Sequence, residues 1–267
     1  MARIWIVLAA SLAGLAFAAF IPAGSLGYKF GYLELGEAFD LMFRGFGTTQ
    51  VAGQELPIHV LAGLGASLFA VLAGLIPHPR GVVAIALVAL AANLASGYTV
   101  WKMREDSRNN PRIHDITTDL ENIPEFIAVA PLRDEGDHPV AYEGTYDTRC
   151  AGEGEVCDPA SLQREHFPDI QPVVLYVGLN EAFDIALDVA EGMGWEIVDV
   201  DRAAGRIEAT DTTPWFGFKD DIVIRLTAQD QTHTRVDIRS QSRIGQSDLG
   251  KNARRVRAYL EELRSRA

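Results

Sequence analysis

Residues 219–242 read KDDIVIRLTAQDQTHTRVDIRSQS, and the alternation within them decides the fold. Ile222, Ile224 and Leu226 fall on one parity, then Val236 and Ile238 do the same, with charged residues between. A period of two places alternate side chains on opposite faces of a strand, so the spacing predicts strands over Lys219–Thr227 and Thr232–Ser242. Ala228–Gln231 between them has hairpin length. Two further strands are expected upstream, over Trp195–Val200 and Arg206–Thr210, joined by the turn Asp201–Gly205.

Helices bracket this group. Asn180 is placed to start a helix through Met193, with Phe183, Ala186, Leu187 and Ala190 on one face and Gly192 or Gly194 at its end. Asp248 is placed to cap a final helix that carries Leu249, Ala253, Val256, Leu260 and Leu263 along one side. The expected architecture of residues 179–267 is therefore α+β, a small antiparallel sheet of about four strands packed with two helices. Its second face would carry Arg206, Arg225, Arg235, Arg239 and Arg243, interleaved with Glu208 and Asp237. That face reads either as a solvated surface with cross-strand ion pairs or as an arginine platform for a carboxylate or phosphate.

Residues 102–178 show little regular periodicity and are rich in Pro, Asp and Glu, which predicts an extended tether and a loop-rich wrap. Within them, PRIHDITTD at 111–119 sets His114 beside Asp115, Thr118 and Asp119. As chemistry, His114 would be a base oriented by Asp115 or Asp119. As structure, these are side chains that satisfy backbone donors in turns. The nearby nucleophile candidates are threonines that nothing in the sequence activates. The chain has no G-x-S-x-G, Walker, H-E-x-x-H or C-x-x-C pattern, so no catalytic residue, cofactor or metal site is assigned. Trp215, Phe216 and Phe218, followed by Lys219, lie in the connection between two strands; they read as packing, as a ligand shield or as a bilayer contact.

Residues 1–101 are of a different kind. Ile4–Ile21, Ile58–Ile76 and Gly81–Trp101 contain no Asp, Glu, Lys or Arg and approach the length that crosses a hydrocarbon core. Three transmembrane helices are expected, over about 4–22, 58–76 and 81–101. Between the first two, residues 34–46 carry Phe39, Met42, Phe43 and Phe46 at helical spacing, as an interfacial helix would. The first run also has the form of a signal peptide, with Arg3 before it and Ala16-Phe17-Ala18 within it. Small residues at Ala10, Gly14 and Ala18, and again at Ala62, Ala66, Ala70 and Gly74, suit helix packing in lipid.

The formal charge of −12 belongs to the part beyond the apolar runs, since residues 1–101 hold four basic and four acidic residues. Acidic residues dominate residues 102–201, which argues against nucleic acid as partner. Lys102, Arg104, Arg108 and Arg112 after the third run favour a cytoplasmic C-terminal part. The two cysteines, Cys150 and Cys157, flank AGEGEV and read either as a disulfide of an oxidising compartment or as two free thiols.

The stretches IHDITTDLENIPEF, FPDIQPV, GWEIVDVDRAAGRIEATDTTPWFGFKDDIVIRL and VDIRSQSRIGQSDLGKNARRVRAYL, in this order, resemble the family catalogued as domain of unknown function 1499. The likeness runs from about Ile113 to about Leu263. It implies an envelope protein anchored in a bacterial inner membrane, with the domain on the periplasmic side, opposite to the arginine count. It supplies no catalytic residue, and Tyr142–Gln163 is an addition to its pattern. A fainter likeness, to the helix-grip domains of an outer-membrane assembly lipoprotein, concerns the helix and its following strands. The expected role is a binding or assembly module for an envelope protein partner or an anionic amphiphile, in contact with membrane lipid and capable of homo-oligomer formation. The alternative is a membrane-tethered hydrolase using His114 with Asp115 or Asp119. Candidate contact residues are His114, Asp115, Thr118, Asp119, Trp215, Phe216, Lys219, Arg225, Arg239 and Arg243.

Overall fold

The computed structural model describes residues 2–51, 54–75, 79–144 and 158–266. Cys150 and Cys157 fall outside them, so their pairing is outside the described residues too. The chain divides into two compact units, one of Met1–Glu105 with Pro214–Phe216, the other of Asp106–Thr213 with Gly217–Ala267.

The first unit is built on apolar helices. Helices α1 (Ala2–Ala18) and α2 (Phe20–Lys29) follow with almost no break, α3 (Leu35–Phe43) lies in the stretch expected at an interface, and α4 (Ile58–Gly74) and α5 (Arg80–Asn109) complete the set. A short hairpin of β1 (Thr48–Val51) and β2 (Gln54–Pro57) precedes α4. The continuous stretch Ala2–Lys29 and the helix Arg80–Asn109 are long and apolar enough to cross a membrane, whereas α4, with 17 residues, is shorter. The tether does not begin at Lys102, because the charged residues 102–109 stay helical as the last turns of α5. On α4 the buried residues include Gly63, Ser67, Ala70 and Gly74, not the full Ala62-Ala66 row. The reason is polar. Asn93 on α5 donates to Ser67 Oγ and to the Gly14 carbonyl, each at 2.9 Å, and a methyl group on Gly14 or Gly63 would collide with Ser67 or Asn93.

The second unit is α+β around an antiparallel sheet with more strands than the four expected. Strands β5 (Glu196–Asp201), β6 (Arg206–Thr212), β7 (Lys219–Ala228) and β8 (Thr234–Ser242) occur where alternation predicts them. Two three-residue strands, β3 (Asp115–Thr117) and β4 (Val173–Leu175), add to the outer edge of β8, giving the order β3-β8-β7-β6-β5 with β4 also on β8. Gly205 closes the β5–β6 turn at φ 64°, with the Leu226 carbonyl so near that a side chain there would clash. Helices α7 (Leu179–Gly192) and α8 (Lys251–Arg266) cover one face, and α6 (Pro159–His166) lies in the segment expected to be loop. Ile207, Ile222, Ile224, Val236 and Ile238 meet Phe183, Ala186, Val256, Leu260 and Leu263 in one core. Trp195 stacks on Tyr259, whose hydroxyl donates to the Ala186 carbonyl at 3.0 Å. This is the face that the period-two pattern marks as apolar.

Candidate functional site

The opposite face of the sheet is charged, and it is closed. Residues 118–143 cross it as a strap, holding a small apolar plug of Phe126 and Val129 against Val223. The sequence offers this face as a solvated surface with cross-strand ion pairs or as an open anion platform; cross-strand pairs such as Arg225–Asp237 are present, but the strap covers much of the face. Arg239 is 2% exposed, and Glu208 and Asp221 are fully buried.

Each arginine of the closed part is neutralised from within. Arg239 forms a two-pronged pair with Asp115, Nε to Oδ1 at 3.0 Å and Nη2 to Oδ2 at 2.7 Å. Two of its remaining hydrogens go to the carbonyls of Pro124 and Val140 at 3.1 and 3.0 Å, and its guanidinium lies 4.6 Å from the Phe126 ring centre. Arg243 makes the same fork with Asp221, at 3.0 and 2.9 Å, and donates to the Leu132 carbonyl at 2.8 Å. Arg133, supplied by the strap, donates to the same Asp221 at 2.9 Å.

The strap is pinned by the reverse arrangement. Glu208 Oε2 accepts from the backbone N–H groups of Ala128 and Val129 at 2.9 and 3.0 Å, while Oε1 accepts from Ile127 at 2.9 Å. A carboxylate that is fully desolvated needs such donors, and three consecutive amides from one turn supply them. The adjacent Arg206 approaches Glu208 at 2.9 Å.

The residues singled out in PRIHDITTD divide accordingly. Asp115 is the partner of Arg239. Thr118 sits in a backbone exchange with Ile238, its amide donating to the Ile238 carbonyl at 2.9 Å and its hydroxyl accepting from the Ile238 amide at 3.0 Å. Asp119 accepts from the amides of Glu121 and Asn122 and from Arg235 and Arg225, at 2.8 and 3.2 Å. Burial would raise its pKa, but the Asn122 and Glu121 amides and the two guanidiniums outweigh that and hold the carboxyl below its usual range. His114 is buried and stacks face to face on His138, ring centres 3.8 Å apart. Burial first, then the nearby His138, Arg133 and Arg239, drive its imidazole down to about 3, so it is neutral at pH 7.

The other candidates lie apart from this cluster. Trp215 is 60% exposed in the β6–β7 connection, with Phe216 beside it, and Lys219 is exposed at the start of β7. Arg225 keeps 23% of its side chain accessible and borders a cleft of about 300 Å³ lined by Ile123, Pro124, Ile127, Val223 and Arg206. Sequence reasoning missed His138, Arg133 and the role of Glu208. Asp221, on β7, takes its partners from the strap and from β8, as Arg133 and Arg243.

No match is found among curated proteins. The family model described as "Protein of unknown function (DUF1499)" matches residues 115–263, which begin at the Arg239 partner Asp115 and end on helix α8. With that match covering more than half of its length, the chain belongs to the DUF1499 family.

Proposed function

We propose that this chain is a membrane-anchored assembly module, held by three helices, whose domain engages a basic, apolar segment of an envelope protein at the Ile123–Ile127 cleft. The observation that carries this reading is the internal neutralisation of the arginine face. Arg239 and Arg243 are spent on Asp115, Asp221 and strap carbonyls, so an anion would have to displace buried carboxylates. What remains accessible at the cleft is apolar Ile123 and Ile127 beside Glu125, while Asp199 and Asp201 already pair with Arg206 nearby. The two arginines of the lining, Arg206 and Arg225, are themselves paired with Glu208, Asp119 and Asp237, so exposed Glu125 beside Ile127 is left to meet a cationic amphipathic segment, in keeping with the net charge of −12. The hydrolase alternative would need Asp115 or Asp119 to orient His114, and both are held by arginines.

The test places a photoreactive amino acid at Ile127 in cells, with exposed Glu181 on helix α7 as the control position. A protein adduct at 127, absent at 181 and lost on Glu125→Lys, is the expected result. A lipid adduct at 127 would replace the partner with an amphiphile, and no adduct would remove the reading.

The membrane orientation belongs to the same proposal. The family resemblance and the reading of Cys150 and Cys157 as a disulfide favour a periplasmic domain, against the positive residues at Lys102, Arg104, Arg108 and Arg112. A reporter active only outside the cytoplasm, fused after Ala267, should be active; activity of a cytoplasm-only reporter reverses the topology.

A further inference from the structure

We infer that His114, His138 and Glu143 form a binding site for a divalent transition-metal ion of the zinc or cobalt class. One donor atom from each of the three lies within 4.8 Å of the others. Such a grouping on the surface would mean little. Here the burial of His114 and the second contact of His138 give it direction.

His138 Nε2 lies 3.0 Å from the Gly245 carbonyl, in the β8–α8 connection. The tautomer that donates Nε2–H to that carbonyl leaves the lone pair of His138 on Nδ1, where a metal can take it. Donation of the second N–H to a backbone carbonyl is the usual way a metal-ligating histidine is oriented. Glu143 adds an oxygen donor, and two nitrogens with one oxygen suit zinc or cobalt better than calcium or magnesium.

The positive groups nearby are offset. Arg239 is paired with Asp115, and Arg133 and Arg243 share Asp221, which leaves Glu143 to balance part of the incoming charge. The rings now lie nearly parallel, at 11°, so ligation by both requires them to tilt until their lone pairs converge. The sequence hides this site because its ligands are separated by 24 and 5 positions and match no standard spacing.

The experiment uses the full chain in detergent with Cys150→Ser and Cys157→Ser, so that thiolates cannot contribute, stripped with chelator and titrated with Co²⁺ and Zn²⁺. One ion per chain, with visible cobalt d–d absorption free of thiolate charge-transfer bands, is expected. Glu143→Gln and His138→Gln should each weaken binding by about tenfold or more. Thermal melts confirm that each variant is folded, and if His138→Gln is not, Glu143→Gln decides alone. Binding that disappears with the cysteines, that is unchanged in Glu143→Gln, or that does not exceed the detergent blank overturns the site.

Discussion

The two faces of one sheet are stabilised by opposite chemistry. On the face under α7 and α8, Ile222, Ile224, Val236 and Ile238 pack against helix side chains, and tight apolar contact is enough. On the face under the strap, Asp115, Glu208, Asp221, Arg239 and Arg243 are just as dry, yet each depends on a few named partners. An apolar core loses stability in proportion to the volume removed. A buried ionic layer fails at the pair, because the partner left behind is a charge without solvent.

The largest effect expected from this contrast is at Arg239. Arg239→Ala leaves Asp115 buried with no cation and should destabilise the domain by about 3–5 kcal/mol. The double change Asp115→Leu with Arg239→Met, which removes both charges and keeps the volume, should cost clearly less than the single one. Chemical denaturation of the full chain in detergent, followed by Trp195 fluorescence, measures both. Equal losses in the two variants would mean that the layer behaves as ordinary packing.

A smaller and more local effect is expected at Glu208→Gln. The amide keeps an acceptor for the strap but loses the charge that three backbone N–H groups solvate, at a cost of about 1–3 kcal/mol. Hydrogen exchange should then speed up at Ile127, Ala128 and Val129 while β7 stays protected. Uniform acceleration across the sheet would show that the strap and the sheet open as one unit.

These two faces also explain what a reader of the sequence can and cannot see. The apolar face is legible because Ile222-Ile224-Leu226 and Val236-Ile238 carry their own period, and both flanking helices show theirs. Strands β3 and β4 have three residues each, too few for any period, and exist because β8 offers them an edge. The ionic face is half legible. Its arginines are visible at alternating positions, but their partners are carbonyls of Pro124, Leu132 and Val140 and carboxylates far along the chain. A side chain's charge can be read locally, whereas its neutralisation is a tertiary fact. The same holds for His114, whose neighbour His138 gives no hint in the pattern around it.

Acid should act selectively through that histidine. The folded imidazole sits near 3 while an unfolded one is near 6.5, so between these values the unfolded chain binds more protons and stability falls as pH falls. The contribution is complete above pH 6.5, and the slope through the window is about 1 kcal/mol per pH unit from this group. His114→Phe, which keeps a ring in the stack, should flatten the stability profile between pH 6.5 and 4. An unchanged slope would assign acid sensitivity to the carboxylates of the ionic layer instead.

The smallest effect is expected where the same chemistry lies outside. Arg257 on α8 forks onto Asp169 at 2.5 and 2.6 Å, as close as any pair in the buried layer, and its guanidinium lies 5.1 Å from the Phe167 ring centre. Here, however, the two side chains are 40% and 55% exposed. Water already solvates both charges and salt screens their attraction, so Arg257→Ala should cost no more than about 1 kcal/mol. Part of that loss is the contact with Phe167 and should survive in high salt, whereas the ion-pair part should fade. Measuring Arg257→Ala beside Arg239→Ala at low and high salt therefore separates geometry from environment. If the exposed pair matched the buried one, the distance between the atoms rather than the exclusion of water would set the strength, and the contrast between the two settings would collapse.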